Sequence, residues 1–599
     1  MEERVWHRFY RPGARTSLEY PEVPLYRLLD DRAARNPDLV ALAFYSQQIT
    51  YAELAAMTRR MANALLARGF EPGDRVLLML PNCPAYVIAY YGVLRAGGIA
   101  VGVNPLYVER EIEFVARDAG ARWIVTAGEF YPRVRAVLER TPLKHVILAE
   151  LAAPVEPGPE AVRLRELLAA APDVDPGVAV GAHDVAVLQY TGGTTGTPKG
   201  AMLTHFNLVA NVLQLAEMGD PVEPGETRIL TILPLFHSYG MTTCMNLGLY
   251  QGSRLVLLPR FDIDQVMQAI KEHQITAFPG VPTMYVAVLN YPNAEAYGIR
   301  NIKTIGSGGS ALPLEVAETF ERKFGAKIGE GYGLSEASPV THVNPNWAPG
   351  IQRRGSIGIP LPDTDARIVD LETGERVLGP GEEGELVIRG PQVMKGYWNR
   401  PEETRQALRD GWLYTGDIAR MDEDGFFYIV DRKKDMIIVS GYNVYPREVE
   451  EVLYTHPAVM EAAVIGVPDP YKGEVPKAVV ACKPGQQVTG EELIEYCRRH
   501  LAPYKVPRYV EFRPELPKTM VGKILRRALR ESVAASAVPG SASPGAAGGT
   551  ETVGPAPGTA AAGPRGQGTA AEGQAVPGGT GAAAGTGTAV GSGTGGTGA

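Results

Sequence analysis

Cysteine is scarce in this chain. Its 599 residues hold four, Cys83, Cys244, Cys482 and Cys497, with no Cys-x-x-Cys pair among them. Such a count and spacing argue against a disulfide scaffold or a thiolate metal site and favour reduced, mostly buried thiols. A long basic run is also missing, and the net charge is −8. Nucleic acid is therefore not expected as a partner, because phosphate contact dominates that affinity. The opening MEERVWHRFYRPG has no apolar core of a secretion signal. The most apolar early stretch, Ala85 to Leu94, is too short and interrupted to span a bilayer. A cytoplasmic protein is the expectation, with peripheral contact at the inner membrane face and a homodimer left open.

The body of the chain is ordinary for a folded protein, at 45% hydrophobic and 21% charged residues. Its length exceeds what one core can serve, so several domains are expected. Short apolar runs such as RVLLML, WIVTAG, HVILAE, VAVLQY, RILTIL, RLVLLP, TAFPGV and KTIGSGG alternate with amphipathic stretches. That alternation predicts parallel sheets covered by helices, an α/β architecture. After Gly355 the texture becomes strand-rich and turn-punctuated. After Asp435 it predicts a compact α+β unit. From Val538 to Ala599 large apolar residues disappear in favour of Gly, Ala, Thr, Pro and Ser, which predicts a disordered tail without a catalytic part.

Three constellations carry chemistry. The first is YTGGTTGTPKG, Tyr190 to Gly200, between a predicted strand, DVAVLQY, and a predicted helix, His205 to Met218, with Thr204 as its N-cap. Glycines allow a ligand close to the backbone, and successive N–H groups form an anion-binding concavity. Thr191, Thr194, Thr195 and Thr197 add hydroxyls and Lys199 a cation. Composition leaves phosphate loop and plain surface loop both open. The Gly-Lys-Ser/Thr triplet of P-loop NTPases is absent, because Thr197 and Pro198 separate Gly196 from Lys199. The second is EGYGLSE, Glu330 to Glu336. Tyr332 stands between two glycines, where it could stack a base or simply pack. Glu336 beside Ser335 suits Mg²⁺ near phosphates or plain solvation. Ser307, Gly308 and Gly309 form another glycine turn after a strand. The third comprises Asp417 in DGWLYTGD, the DRKKD run from Asp431 to Asp435, and Lys523 after Gly522 before a basic helix. Taken alone, the DRKKD run reads rather as a solvated charged turn and Lys523 as an exposed lysine at a helix start.

In one order over most of the chain stand YTGGTTGTPKGAMLTH, LPLFHSYG, EGYGLSEASP, GWLYTGDI, VDRKKDMIIVSGYNVYPREVE and PKTMVGKILRR. Together they closely resemble the AMP-forming acyl-CoA synthetases of the adenylate-forming superfamily, from roughly Pro24 to Arg530. The stretches DGWLYTGDIARMDEDGFFYIVDRKK, GPQVMKGYW and CRRHLAPYKVP resemble long-chain fatty acid:CoA ligases in particular. The resemblance implies a large N-terminal domain, 1–431, of two helix-covered sheets plus a distorted β-barrel region. It implies a hinge at 432–434 and a small mobile α+β domain at 435–531, before a tail at 532–599.

The activity implied is that of an acid–thiol ligase. ATP activates a fatty acid as acyl-adenylate with release of pyrophosphate, and CoA then takes the acyl group and frees AMP. Alternatives are a medium-chain, short-chain or aryl acid:CoA ligase of the same mechanism, or a nucleotide- or acyl-binding protein that has lost catalysis. The resemblance assigns Lys523, Glu336 and His237 to catalysis. It assigns Thr191, Gly192, Gly193, Thr194, Thr195, Gly196 and Lys199 to the ATP phosphates. Gly308, Gly309, Glu330, Gly331, Tyr332, Gly333 and Ser335 would hold the nucleotide, with Asp417 and Arg432 at the ribose. Lys434 matches the hinge. Phe236, His237 and Val281 would meet the acyl group, and Arg260, Gly441 and Lys472 would meet CoA. Mg²⁺, arriving with ATP, would sit on Glu336 and Thr191. His237 stands where amino-acid-activating relatives place an Asp, which disfavours a free amino acid as substrate.

Overall fold

The computed structural model describes residues 4–151, 156–191, 198–519, 522–536 and 552–553. The chain divides into a unit Met1–Gly554 and a terminal stretch Pro555–Ala599, and that stretch lies outside the described residues.

Two mostly parallel sheets form the larger body. In the first, Ala161–Arg163, His145–Ala149, Trp123–Ala127, Arg75–Met79, Ile99–Gly102 and Val185–Thr191 lie side by side and run parallel. Lys199–Thr204 and then Gly396–Tyr397 extend that edge antiparallel. In the second, Arg254–Leu257, Arg228–Thr231, Ala277–Gly280, Thr304–Ser307 and Ile328–Gly333 form the parallel centre. Val40–Phe44 joins at one side, and antiparallel strands finish both edges.

The runs that seed these strands are β-branched and apolar because helices cover both faces. The helix Tyr51–Leu66 starts at a capping box, in which Thr50 and Glu53 satisfy each other's backbone N–H groups. The helix Pro84–Arg95 is apolar all round and is buried along most of its length. These two helices touch closely at Gly92, where a Cβ would fall 2.4 Å from Met61 Cγ.

One expectation is corrected. The loop YTGGTTGTPKG does not run from a strand straight into a helix. Lys199–Thr204 intervenes as a strand that pairs antiparallel with Val185–Thr191, with Thr191 opposite Lys199. The short segment KGAMLT carries too little alternation to announce a strand, and its partner across the ladder makes it one. The helix His205–Met218 follows, capped by Thr204 as expected.

The expected barrel-like region takes the form of a five-stranded antiparallel sheet. It comprises Asp365–Val369, Gly384–Arg389, Trp412–Met421, Leu408–Arg409 and Phe427–Arg432. Beyond it the α+β body has a sheet built on Val459–Asp469 and Gly473–Cys482, flanked by the helices Pro446–Tyr454 and Gly490–His500. Its two buried clusters are separate from the large core, as expected of a folding unit in its own right. The helix Arg526–Ser536 carries this body past the expected end at 531, because Ala, Arg and Glu favour helix there. All four cysteines are free. Among the described residues no helix is long and apolar enough to cross a membrane.

Candidate active site

Four neighbouring parallel strands of the second sheet end on one face. Loops at the carboxyl ends of such strands form the crevice in which open α/β sheets bind ligands. Arg228–Thr231 leads into LPLFHSYG, with Phe236 and His237. Ala277–Gly280 leads into Val281, Thr304–Ser307 into Gly308 and Gly309, and Ile328–Gly333 into Ser335 and Glu336.

Phe236, His237 and Tyr239 are half-buried at this end of the site. His237 Nδ1 accepts the Tyr239 N–H at 3.3 Å, so Nε2 carries the proton of a neutral ring. Burial, then the nearby Lys523 cation, lower its pKa to about 3, so it stays uncharged at neutral pH. The Phe236 carbonyl accepts from Gln189 Nε2 at 3.1 Å. Val281 is buried. The Tyr239 ring lies against Gly308, where a Cβ would come within 3.1 Å of it. Its hydroxyl donates to the Gly306 carbonyl at 3.2 Å.

The EGYGLSE stretch splits into different environments. The Tyr332 hydroxyl donates to Asp417 Oδ2 at 2.6 Å, and its ring meets His342 edge-on. Burial above all, then Asp417, raises the Tyr332 phenol well above its usual range. Gly333 is a glycine for packing, since a Cβ would fall 2.2 Å from the Pro339 carbonyl oxygen. At Gly331 the nearest atom would be the His342 carbonyl oxygen, 3.5 Å away. Glu330 has a different partner. It accepts the Leu312 N–H at 3.1 Å, and burial raises it to about 7 against the opposing pull of Arg447. Ser335 Oγ is 3.2 Å from Ser238 Oγ. Glu336 Oε1 accepts from the Tyr397 hydroxyl at 2.8 Å.

The other sheet contributes Thr191 and Lys199 across one ladder step, and Lys199 Nζ lies 5.4 Å from the centre of the Tyr397 ring. Gly192, Gly193, Thr194, Thr195 and Gly196 lie outside the described residues. The antiparallel sheet contributes Asp417 and Arg432, directly opposite each other in register, with Arg432 Nε 3.6 Å from Asp417 Oδ1.

Lys523 comes from the small body. Its N–H donates to Thr519 Oγ1 at 3.1 Å and its carbonyl accepts the Thr519 N–H at 2.8 Å. The adjacent Gly522 docks on the large body. Its carbonyl accepts from Thr283 Oγ1 at 3.3 Å, and a Cβ there would fall 2.6 Å from that oxygen. The lysine chain then runs over Gly309, whose Cβ position lies 3.1 Å from Lys523 Cε and 3.8 Å from Nζ. Burial, then the Arg432 cation, lower its pKa to about 8, while Asp417 and Glu336 pull the other way. One ammonium group is thus in electrostatic reach of Asp417, Glu336, Arg432 and His237, which the sequence spreads over hundreds of positions.

The expected CoA residues stand apart. Gly441 lies on an exposed hairpin tip, and the adjacent Ser440 N–H donates to the Lys472 carbonyl at 2.8 Å. Arg260 is exposed after the strand Arg254–Leu257. Among the described residues no contact ties these three to Lys523. Lys434 follows Arg432 at the junction of the two bodies. Next to it, Lys433 Nζ meets Glu385 at 3.2 Å.

Sequence reasoning did not single out Tyr397 or Arg447. Arg447 Nη1 donates to the Ile429 carbonyl at 2.5 Å, and its N–H donates to Asp431 Oδ2 at 2.9 Å. Both residues sit inside stretches whose resemblance was plain, yet spacing gave no role to either side chain.

The profile of the family described as AMP-binding enzyme matches residues 29–398, and that of its C-terminal domain matches 448–523. A long-chain-fatty-acid–CoA ligase of Bacillus subtilis (strain 168) is 47% identical over 556 residues, covering 88% of this chain and 98% of the relative. Among solved structures, ATP-bound MatB from Rhodopseudomonas palustris superposes with a TM-score of 0.78 at 31% identity, over 86% of this chain and 99% of that one. A fatty acyl CoA synthetase of Mycobacterium tuberculosis gives a TM-score of 0.66 at 32% identity, over 86% and 99%. The chain belongs to the AMP-binding enzyme family, among the acyl-CoA synthetases of the adenylate-forming superfamily.

Proposed function

We propose that this protein is a long-chain fatty acid:CoA ligase. It forms an acyl-adenylate and pyrophosphate from a fatty acid and ATP, then passes the acyl group to CoA and releases AMP. The observation that carries the reading is Lys523, projected from the small body over Gly309 into the strand-end crevice among Glu336, Asp417 and Arg432.

A carboxylate is already ionised at pH 7, so the first half-reaction needs charge stabilisation more than a base. Lys523 lies where a cation could bridge the acid's carboxylate and the α-phosphate as the acyl oxygen bonds to phosphorus and pyrophosphate departs. Thr191 and Lys199 hold the departing phosphates, together with the glycines and threonines of the loop between them. Asp417 accepts from the ribose hydroxyls and Arg432 fixes that end. In this reading the Tyr332 ring stacks under the base, beside Gly308 and Gly309. Neutral His237 donates a hydrogen bond at the entrance to the acyl pocket without adding charge.

A single carboxylate, Glu336, with hydroxyl neighbours is a donor set of hard oxygens, which suits Mg²⁺ held largely by substrate phosphates. Bound there, Mg²⁺ would neutralise phosphate charge. For the second half-reaction the small body turns about Lys434, withdraws Lys523 and brings Gly441 toward the thiol path, with Arg260 and Lys472 as contacts for CoA phosphates. Such motion about a few hinge residues is common among enzymes that close over substrate.

The test is AMP release from ATP with CoA and Mg²⁺ across palmitate, octanoate, 4-coumarate, benzoate and acetate. Palmitate should give the highest kcat/KM. Faster turnover of 4-coumarate or benzoate would replace the reading by an aryl acid ligase, and no AMP with any acid would end it.

A further inference from the structure

The segment GPQVMKGYW does more than border the site. Its backbone is stitched to both halves of the phosphate region. The Met394 N–H donates to the Glu336 carbonyl at 2.8 Å, Lys395 N–H to Met202 at 3.0 Å and Trp398 N–H to Gly200 at 2.8 Å. Gly396 and Tyr397 pair antiparallel with Met202 and Ala201, on the strand that begins at Lys199. Tyr397 is pinned further by its N–H, which donates to Thr404 Oγ1 at 2.9 Å. Its side chain then makes two contacts in opposite senses. The hydroxyl donates to Glu336 Oε1 at 2.8 Å, and the ring lies 5.4 Å from Lys199 Nζ.

We propose that Tyr397 is a positioning residue that couples the metal-binding carboxylate of Glu336 to the pyrophosphate-binding cation of Lys199. The proposal rests on the ligase reading above. A carboxylate whose one oxygen accepts a fixed hydrogen bond presents its other oxygen in a fixed direction, ready for a cation. An aromatic face near an ammonium group restrains where that group can sit. One rigid side chain with two torsions therefore sets the distance between the two groups that grip the leaving phosphates.

The two contacts separate by substitution. Tyr397→Phe removes the hydroxyl and keeps the ring, whereas Tyr397→Leu removes both. Mn²⁺ is titrated by electron paramagnetic resonance into each protein with α,β-methylene-ATP. Pyrophosphate affinity is measured by calorimetry, and thioester formation is followed from supplied acyl-adenylate. The Phe variant should bind Mn²⁺ about tenfold more weakly, the scale of a lost hydrogen bond to a charged group. Its pyrophosphate affinity and its thioester rate should match wild type. The Leu variant should lose pyrophosphate affinity as well. Unchanged Mn²⁺ affinity in the Phe variant, or a thioester rate that falls with it, overturns the coupling role. Wild-type protein that binds no Mn²⁺–nucleotide defeats the ligase reading and this proposal together. Wild-type binding with an unaffected Phe variant defeats the proposal alone.

Discussion

Lys523 works at the residue scale through where its charge is held. It is a lysine with a pKa lowered to about 8, chiefly because its surroundings strip water from the ammonium group. In its proposed role the cation is the form that serves the α-phosphate, so free enzyme should lose competence as pH rises through about 8. The quantity to follow is kcat/KM for ATP, which reports the free enzyme. It should fall about tenfold per pH unit above that point. Lys523→Arg should be slower but flat over the same range, since guanidinium does not titrate there. A break near pH 8 that survives in the Arg variant would assign it to another group. Lys523→Ala should lower the adenylation rate by about 10²–10³, the scale of losing one preorganised charge contact. Thioester formation from supplied acyl-adenylate should persist if, as proposed, that step proceeds with the lysine withdrawn. Both halves falling together would contradict its assigned role.

At the scale of elements, Gly522 beside Lys523 matters as much as the lysine itself. Gly522 has φ +75° and sits against Thr283 and Val281, so a side chain meets both backbone strain and collision. Gly522→Ala should depress adenylation about as far as a displaced catalytic group does, roughly 10²-fold, and spare thioester formation. Comparing single-turnover rates of the two half-reactions decides the matter. The motif around Lys523 was legible in the sequence, as was the alternation that builds both sheets. The docking of Gly522 on Thr283 was not, because it joins surfaces more than two hundred positions apart whose contact leaves no local pattern. The strand Lys199–Thr204 escaped for a related reason. Six residues with one short apolar run become a strand only when Val185–Thr191 lies alongside. Asp417 and Arg432 could be matched as separate motifs. Their placement opposite each other follows from the register of the two strands that carry them.

At the scale of the whole molecule, two bodies with separate cores meet through contacts among which those of Arg447 are polar. Arg447 reaches back to the Ile429 carbonyl and, through its N–H, to Asp431, and it lies near Glu330, while the Leu314 N–H donates to Glu451 at 3.4 Å. Arg447→Ala should weaken the pose that places Lys523 over Gly309. Adenylation should fall about tenfold, the scale of one lost charge-assisted hydrogen bond. The thioester step should not fall. Small-angle scattering of the two proteins with and without an acyl-adenylate analogue checks whether the bodies reorient as this requires.

The cross-strand pair Asp417–Arg432 has a thermodynamic consequence. Arg432 is the last residue of its strand, and the next N–H, that of Lys433, donates to the Gly416 carbonyl at 3.0 Å, beside Asp417. The proposed ribose grip and the start of the swivel are thus adjacent peptides of one ladder. If AMP occupancy favours one arrangement of the two bodies by some factor, any change that favours the same arrangement must tighten AMP by that factor, because linkage is reciprocal. Product affinity then becomes a meter of domain pose, and Arg447→Ala should shift the dissociation constant of AMP without touching a single atom of its pocket.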